Sequence, residues 1–318
     1  MKANVVFIIA AALILVSAAL FVGVMAYNGW DFTKLSTDKL VTTTHTPTEV
    51  FSNIQINIST TDITLLPSED GSTKVVCSEH AYEQHQVSVA DDTLTIRNIS
   101  KKKWYHHIGI QFTSPKITLY LPLQEYSQLA IEGSTSDVTV SADFQFETMD
   151  IHMTTGDVTV KAATTGDMTV QVTTGDICLI NSSAANTKLT AGTGDITVTS
   201  CACAGNLTTR VSTGDVAFTD VTATTITSTG TTGDLSMVNV IATEKFSFER
   251  STGDITMTRC DAGEIRIKVT TGDVIGSLCS EKIFHVTAST GDVDVPKTTT
   301  GGTCDITTST GDVKITVN

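Results

Sequence analysis

The sequence predicts an all-β fold: a single-stranded β-helix, or β-solenoid, with two strands in each coil of 19 to 20 residues, preceded by one transmembrane helix. Three observations predict it. The tripeptide Thr-Gly-Asp recurs at a nearly constant spacing, apolar residues alternate on both sides of it, and an uncharged apolar segment stands near the N-terminus.

The apolar segment, Val5 to Ala26, is 22 residues long and has no charge, which is enough to cross a bilayer as a helix. It ends before Tyr27 and Trp30, which suit a membrane interface, and lacks an obvious small-residue cleavage site. We therefore expect residues 1–30 to be an uncleaved membrane anchor and interface rather than a cleaved signal peptide. Because Lys2 precedes the span, we expect a single-pass protein of the cell membrane with its C-terminal domain extracytoplasmic.

Three further regions follow the anchor. Residues 31–48 are predicted to be a polar stalk, and residues 49–130 to hold the first coil with a β insertion or cap. Within that region Ile54 to Leu65 has the pattern of a coil, with Asp62 in its turn, whereas the strand-like segments at 74–77, 85–89, 93–97 and 116–122 lack the repeat. Residues 131–318 are predicted to be the solenoid of Thr-Gly-Asp coils.

The repeat is marked by its aspartates. A Thr-Ser-Asp variant ends at Asp137, and Thr-Gly-Asp ends at Asp157, Asp167, Asp176, Asp195, Asp215, Asp234, Asp254, Asp273, Asp292 and Asp312. Without Asp167, every step between consecutive aspartates is 19 or 20 residues. So regular a period predicts one repeated structural unit, and the position of Asp167 midway along a step suggests two similar halves in each coil.

Within a coil, the residues one and three places after the aspartate are usually apolar, as are those eight, six and four places before it. This period of two predicts two strands that face each other across a thin core. Six places after the aspartate, a column of mostly small residues predicts a tight corner: Ala163, Ser182, Cys201, Val221, Val240, Cys260 and Cys279.

The charge balance, 20 Lys plus Arg against 34 Asp plus Glu, gives a net charge of -14 and disfavours nucleic acid as a partner. The seven cysteines mostly follow the repeat, as expected for small core residues. If Cys260 and Cys279 are stacked neighbours, they either form a disulfide or stay as two free thiols, and the sequence is compatible with both alternatives.

The N-terminal span, the WDFTKLST and SPKITLYLP segments and the recurring STGDI and TTGDV turns together resemble a large bacterial family of putative adhesins, membrane-anchored proteins with β-strand repeats. The resemblance extends from Phe51 to Val317. It implies adhesion or a role beside cell-envelope stress systems, and it carries over no catalytic residues.

The sequence predicts no catalytic, cofactor-binding or metal-binding residues. The aspartates are interpreted as turn residues, because their spacing differs from that of calcium-binding nonapeptide repeats. The cluster Lys101 to His107 is expected to be a solvated loop, with contact to anionic lipid or wall polymers as its alternative. Surface positions are expected for His80, His85, His106 and His107, because no ligand spacing such as His-x-x-x-His supports the alternative that they gather as a metal site. The outward Thr pairs, such as Thr197 with Thr199, are too interrupted for an ice-binding face.

These observations favour a non-enzymatic cell-surface protein, an adhesin or an envelope scaffold. The alternatives are an accessory protein of a cell-envelope stress-response system and a polysaccharide-binding or polysaccharide-active β-helix; the absence of Trp and Tyr after Asp137 disfavours a sugar-processing groove. The expected partners are the membrane, through the N-terminal helix, and a surface polymer or protein. Because the final coil runs to Asn318, we also expect an unpaired C-terminal edge that self-associates or accepts a partner strand.

Overall fold

The computed structural model describes residues 2–31, 40–80, 83–100 and 114–318. Among them there is one helix, α1 (Lys2–Tyr27). Its segment Val6–Tyr27, of 22 residues with a mean hydropathy of 2.8, is long and apolar enough to cross a membrane. The predicted N-terminal apolar helix is therefore present.

The other elements are strands. In chain order they are β1 (Leu40–His45), β2 (Asn53–Ile58), β3 (Asp62–Pro67), β4 (Lys74–His80), β5 (Glu83–Ala90), β6 (Thr93–Ser100), β7 (Lys116–Leu121), β8 (Glu125–Thr135), β9 (Val138–Val140), β10 (Gln145–Thr155), β11 (Val158–Val160), β12 (Ala163–Thr164), β13 (Asp167–Thr174), β14 (Ile177–Ile180), β15 (Ser183–Ala184), β16 (Asn186–Thr193), β17 (Ile196–Cys203), β18 (Asn206–Thr213), β19 (Val216–Thr232), β20 (Leu235–Thr252), β21 (Ile255–Thr271), β22 (Val274–Leu278), β23 (Lys282–Thr290), β24 (Val293–Asp294), β25 (Gly302–Thr310) and β26 (Val313–Val317).

Each coil has one strand segment before its aspartate, the a strand, and one after it, the b strand; in β19, β20 and β21 a b strand continues without a break into the a strand of the next coil. In the coil of Asp157 these are β10 and β11, which pair in parallel with β13 and β14 of the next coil. The alternating apolar side chains of both strands are buried, for example Ile151 in β10 and Val158 in β11. Stacked aliphatic rows therefore fill the space between an a sheet and a b sheet, which confirms the predicted β-solenoid.

The Thr-Gly-Asp turn requires glycine for two reasons that Gly253 illustrates. Its φ is +137°, a backbone conformation that residues with a side chain rarely adopt. A Cβ at this position would also lie 2.2 Å from the carbonyl oxygen of Gly233 in the preceding coil. The coils can therefore stack at strand spacing only if the turn has no side chain at this point.

The corner after the b strand is built by a left-handed residue five places after the aspartate, such as Asn181 (φ 52°) and Asp220 (φ 55°). Asn and Asp tolerate this conformation better than other residues with side chains. The predicted column of small residues is buried at Ser182, Cys201, Val221, Val240 and Cys260. It is wrong at Ala163 and Cys279, because the corners of these two coils are one residue shorter and Ala162 and Leu278 are buried instead.

The first coil is covered by strands that do not follow the repeat. On the outer side of the first coil, β6 pairs with β2 and β5 pairs with β6. In the other sheet, β7 pairs with β3 and β4 pairs with β7. We call the strands β1, β4, β5, β6 and β7 the cap. Residues 40–45, inside the region predicted to be a polar stalk, form β1, which pairs with β4 along its whole length.

The last two coils are stacked out of chain order. The strands β25 and β26 lie on β21 and β22, while β23 and β24 lie on the other side of β25 and β26. The C-terminal coil is thus inserted between the coils of Asp273 and Asp292. The prediction of an unpaired C-terminal edge is therefore wrong, and the last layer of the stack is formed by β23 and β24.

A charged side chain, Arg250, is buried in the core of the stack, beside the buried hydroxyl side chain of Ser228. Its Nη2 donates to Ser228 Oγ at 2.9 Å and its Nη1 to the carbonyl oxygen of Glu249 at 3.0 Å. Gly230 makes room for it, since a Cβ there would lie 2.9 Å from the guanidinium carbon. Burial lowers the pKa of Arg250 to about 10, partly opposed by the charges of Asp215 and Asp234.

Candidate functional site in the cap

The repeated aspartates, the most conspicuous candidates in the sequence, form a ladder of hydrogen bonds along the stack. The backbone N–H of each aspartate donates to Oδ1 of the aspartate in the neighbouring coil, at 2.7–3.1 Å, from Asp137 on Asp62 to Asp292 on Asp312. Each of these carboxylates except that of Asp292, in the last layer, thus satisfies an amide that the turn leaves free. Asp167 is different, because it accepts from the side chain of Asn186 at the start of the a strands.

A second group of polar side chains is buried where the cap meets the first coil. Thr61, Glu79 and His85 are 1%, 2% and 5% exposed, respectively. His85 Nδ1 lies 2.8 Å from Glu79 Oε2, and His85 Nε2 lies 3.1 Å from Thr61 Oγ1. The backbone N–H of His85 donates to the same Glu79 oxygen at 2.7 Å. The imidazole therefore links a carboxylate to a hydroxyl inside the protein.

The path of the chain explains why these side chains meet. The strands β4 and β5 share one antiparallel pair, His80 with Glu83, and then separate, β4 joining the b sheet and β5 the a sheet. Glu79 and His85 consequently face each other from opposite sides of the solenoid. Thr61 comes from the turn that joins β2 to β3 in the first coil.

The first two turns depart from Thr-Gly-Asp at this position. Thr61 and Ser136 stand where later coils have glycine, and neither has a positive φ. Both are buried, and the backbone N–H of Thr61 donates to Ser136 Oγ at 3.0 Å. A side chain is accommodated at Thr61 because the cap, rather than another Thr-Gly-Asp turn, lies beside it.

Cys77 completes the cluster. One ligand atom each of Cys77, Glu79 and His85 lies within 4.8 Å of the others. Cys77 and Glu79 are two residues apart on β4, so their side chains point to the same face. Burial, and secondarily the charge of Glu79, raises the pKa of Cys77 to about 12. Without a bound metal ion, this thiol is therefore neutral at physiological pH.

The chemistry open to this cluster is limited by its burial. A hydroxyl, an imidazole and a carboxylate in this order resemble the arrangement that activates a nucleophile. In this protein Thr61 is enclosed, and its backbone N–H is already bonded to Ser136. The geometry therefore suits a structural network or the binding of a small ion better than the attack of Thr61 on a substrate.

The other predicted site residues have different outcomes. The expected surface position is wrong for His80 and His85, which are both buried in the cap. The cluster Lys101 to His107, with His106 and His107, lies outside the described residues. Cys260 and Cys279 are both free: Cys260 is buried opposite Leu278, whereas Cys279 is exposed. Thr197 and Thr199 lie on the outer side of the b sheet, in rows that include Ala217 and Val238.

Sequence reasoning did not find the buried cluster. Two features of the sequence point to the cluster: Thr61 and Ser136 replace the glycine of the turn, and Cys77 and Glu79 are two residues apart on one strand. Neither feature identifies His85 as the partner, because that contact depends on how β5 crosses to the other sheet.

Residues 51–210 and 204–318 match the model of the family described as Toastrack DUF4097. The chain belongs to this family. None of the curated proteins matches it.

Several solved structures are similar to this family member. One is described as a putative adhesin from Bacteroides fragilis (18% identity, 87% of this chain and 97% of that chain covered, TM-score 0.44). Another is a putative adhesin from Parabacteroides distasonis (10% identity, 87% and 98% covered, TM-score 0.49). A third, from the same species, is described as a putative lipid binding protein (15% identity, 88% and 98% covered, TM-score 0.45). Likenesses of this size carry no argument on function.

Proposed function

We propose that this Toastrack protein is a non-enzymatic scaffold that is anchored in the cell membrane by α1 and exposes its solenoid outside the cell to a surface polymer or protein. The observation that carries the proposal is the aspartate ladder. The residues that would most readily suggest repeated catalytic or calcium sites each bind a backbone amide of the next coil. The repeated aspartates thereby stabilise the stacking of the coils, and the stacked coils present an extended surface, as in other solenoids.

The outer faces of the two sheets differ in a way that supports a binding role. The a sheet carries charged side chains joined across coils, such as Lys245 with Glu264 at 2.8 Å and Lys268 with Glu249 at 2.9 Å. The b sheet carries a row of uncharged residues from the coil of Asp137 to the coil of Asp254: Thr139, Thr159, Cys178, Thr197, Ala217, Ser236 and Thr256. This row gives the b sheet a strip of uncharged side chains beside the aspartate ladder, on which a polymer or protein can lie with little desolvation of charged groups.

The location is tested with the exposed thiol of Cys279. Intact cells that express the full chain are treated with a membrane-impermeant maleimide, and a Cys279→Ser variant is the control. We expect labelling of the wild type in intact cells and strong loss of label in the variant. Labelling that requires permeabilised cells would show that the solenoid is inside, and the proposal would be abandoned.

The non-enzymatic role is tested by incubating the detergent-solubilised full chain with cell-wall polysaccharides. We expect retention of chain on the polymer, or no interaction if the partner is a protein, and no release of soluble fragments in either case. Release of fragments that depends on the chain would contradict the proposal and favour a polysaccharide-active β-helix.

A further inference from the structure

The buried cluster of Cys77, Glu79 and His85 has the composition of a binding site for a borderline-soft metal ion. Thiolate, imidazole and carboxylate are the three ligand types that Zn²⁺ takes in proteins, at about 2.0–2.3 Å from the metal. The three ligand atoms lie within 4.8 Å of one another, so a single ion between them needs only small side-chain movements. Hard ions such as Ca²⁺ and Mg²⁺ prefer sites made only of oxygen ligands.

We propose that Cys77, Glu79 and His85 bind one Zn²⁺ that joins the two sheets at the cap. Glu79 and Cys77 come from β4 in the b sheet, and His85 comes from β5 in the a sheet. A metal bound to all three ties the two halves of the cap together, next to the first coil.

The charge balance of the site favours a divalent ion. With a thiolate, a carboxylate and a neutral imidazole as ligands, Zn²⁺ gives a buried complex with no net charge. Binding releases the proton of the Cys77 thiol, and the metal occupies His85 Nδ1, the ring nitrogen that faces Glu79, so that the neutral imidazole carries its proton on Nε2. Glu79 binds as the carboxylate and loses no proton, and no charge is left without a partner in the interior.

Thr61 has the position of a supporting residue. Metal-binding histidines usually engage their second ring nitrogen in a hydrogen bond, which fixes the orientation of the ring. His85 Nε2 lies 3.1 Å from Thr61 Oγ1, so the metal-bound imidazole can donate to this hydroxyl. The replacement of glycine by threonine in the first turn thereby acquires a role that the later turns do not need.

The test uses the detergent-solubilised full chain, stripped with a chelator and then dialysed against Zn²⁺ or Co²⁺. We expect about one Zn²⁺ per chain by elemental analysis and, with Co²⁺, the near-ultraviolet charge-transfer absorption of a cobalt–thiolate bond. The variant Cys77→Ser should lose this absorption and bind Zn²⁺ at least about 10-fold more weakly. The matched control, Cys304→Ser, changes another fully buried cysteine and should leave both signals intact.

Two further variants separate a metal site from a merely structural cluster. Glu79→Gln should weaken Zn²⁺ binding, whereas Thr61→Val should keep the cobalt–thiolate absorption with an affinity reduced by about 10-fold to 100-fold. Loss of the signals only in variants that also lose the circular dichroism of the folded wild type would count against the proposal. Failure of the folded wild type to bind stoichiometric Zn²⁺, or equal binding by the Cys77→Ser and Cys304→Ser proteins, would overturn it.

Discussion

The stack and the cap both satisfy the polar groups that lie between strands, but they do so in opposite ways. In the stack, one exposed carboxylate per turn accepts one backbone N–H, and the arrangement is repeated in coil after coil. In the cap, Glu79, His85 and Thr61 form one buried network that occurs once. The stack should therefore tolerate the loss of a single ladder carboxylate, whereas the buried network of the cap should depend on each of its three side chains.

This difference follows from burial. An exposed ladder carboxylate that is lost can be replaced at its amide by water, and the net cost is about that of one hydrogen bond. A buried carboxylate that loses its partner has no water to replace it.

The largest effect is expected from Gly253→Val in the stack. The new side chain would need positive φ and would overlap the carbonyl oxygen of Gly233, so we expect a loss of about 4 kcal/mol or more in the free energy of unfolding. Gly71→Val is the matched control, because Gly71 also has positive φ (+69°) but nothing within 4 Å of its Cβ position. Urea unfolding of the two proteins should show a much smaller loss for Gly71→Val; equal losses would mean that close stacking is not what requires glycine.

In the cap, His85→Leu should cost about 3 kcal/mol, because it removes the imidazole partner of the buried Glu79 carboxylate and leaves it only the backbone N–H of residue 85. His285→Leu is the control: it breaks a similar pair, with Asp305 at 2.9 Å, whose two side chains are 64% and 48% exposed. Exposed pairs of this kind contribute about 0–1 kcal/mol. Both proteins are unfolded in the presence of a chelator, and similar losses for the two would contradict the contrast between the regions.

An intermediate case is Arg250, a buried charge inside the regular stack. Methionine has a similar shape and needs no partner, so Arg250→Met should change stability by less than about 1 kcal/mol. Arg250→Ala leaves a cavity beside Gly230 and should cost about 2–3 kcal/mol. Thermal unfolding distinguishes the two; a loss as large for methionine as for alanine would show that the guanidinium hydrogen bonds stabilise this coil.

The stack could be predicted from the sequence because its pairing is periodic. A spacing of 19 to 20 residues specifies both the partner of each strand and its register, so Ile151 opposite Val170 follows from counting. The left-handed corners at Asn181 and Asn239 carried a usable signal that the period alone did not reveal.

The cap and the last two coils could not be predicted in this way. Strand β4 pairs with β1 and β7 in antiparallel fashion, and no repeat links the three segments. At the other end, the coils of Asp292 and Asp312 have the same Thr-Gly-Asp-Val pattern, so their sequences allow either order of stacking. The buried cluster was missed for the same reason as the cap: its residues are brought together by the non-local path of β4 and β5.

The smallest effect tests the central claim, that the ladder aspartates act as acceptors for the backbone and not as ligands. Asp254 accepts from the N–H of Asp273 at 2.8 Å through Oδ1, an atom that asparagine can replace and alanine cannot. Thermal unfolding of the full chain in detergent, with and without millimolar Ca²⁺, is compared for the wild type, Asp254→Asn and Asp254→Ala. We expect a loss below about 0.5 kcal/mol for asparagine, about 1 kcal/mol for alanine, and no effect of Ca²⁺ on any of the three. A loss as large for asparagine as for alanine, together with stabilisation of only the wild type by Ca²⁺, would contradict the account and make the ladder a cation site.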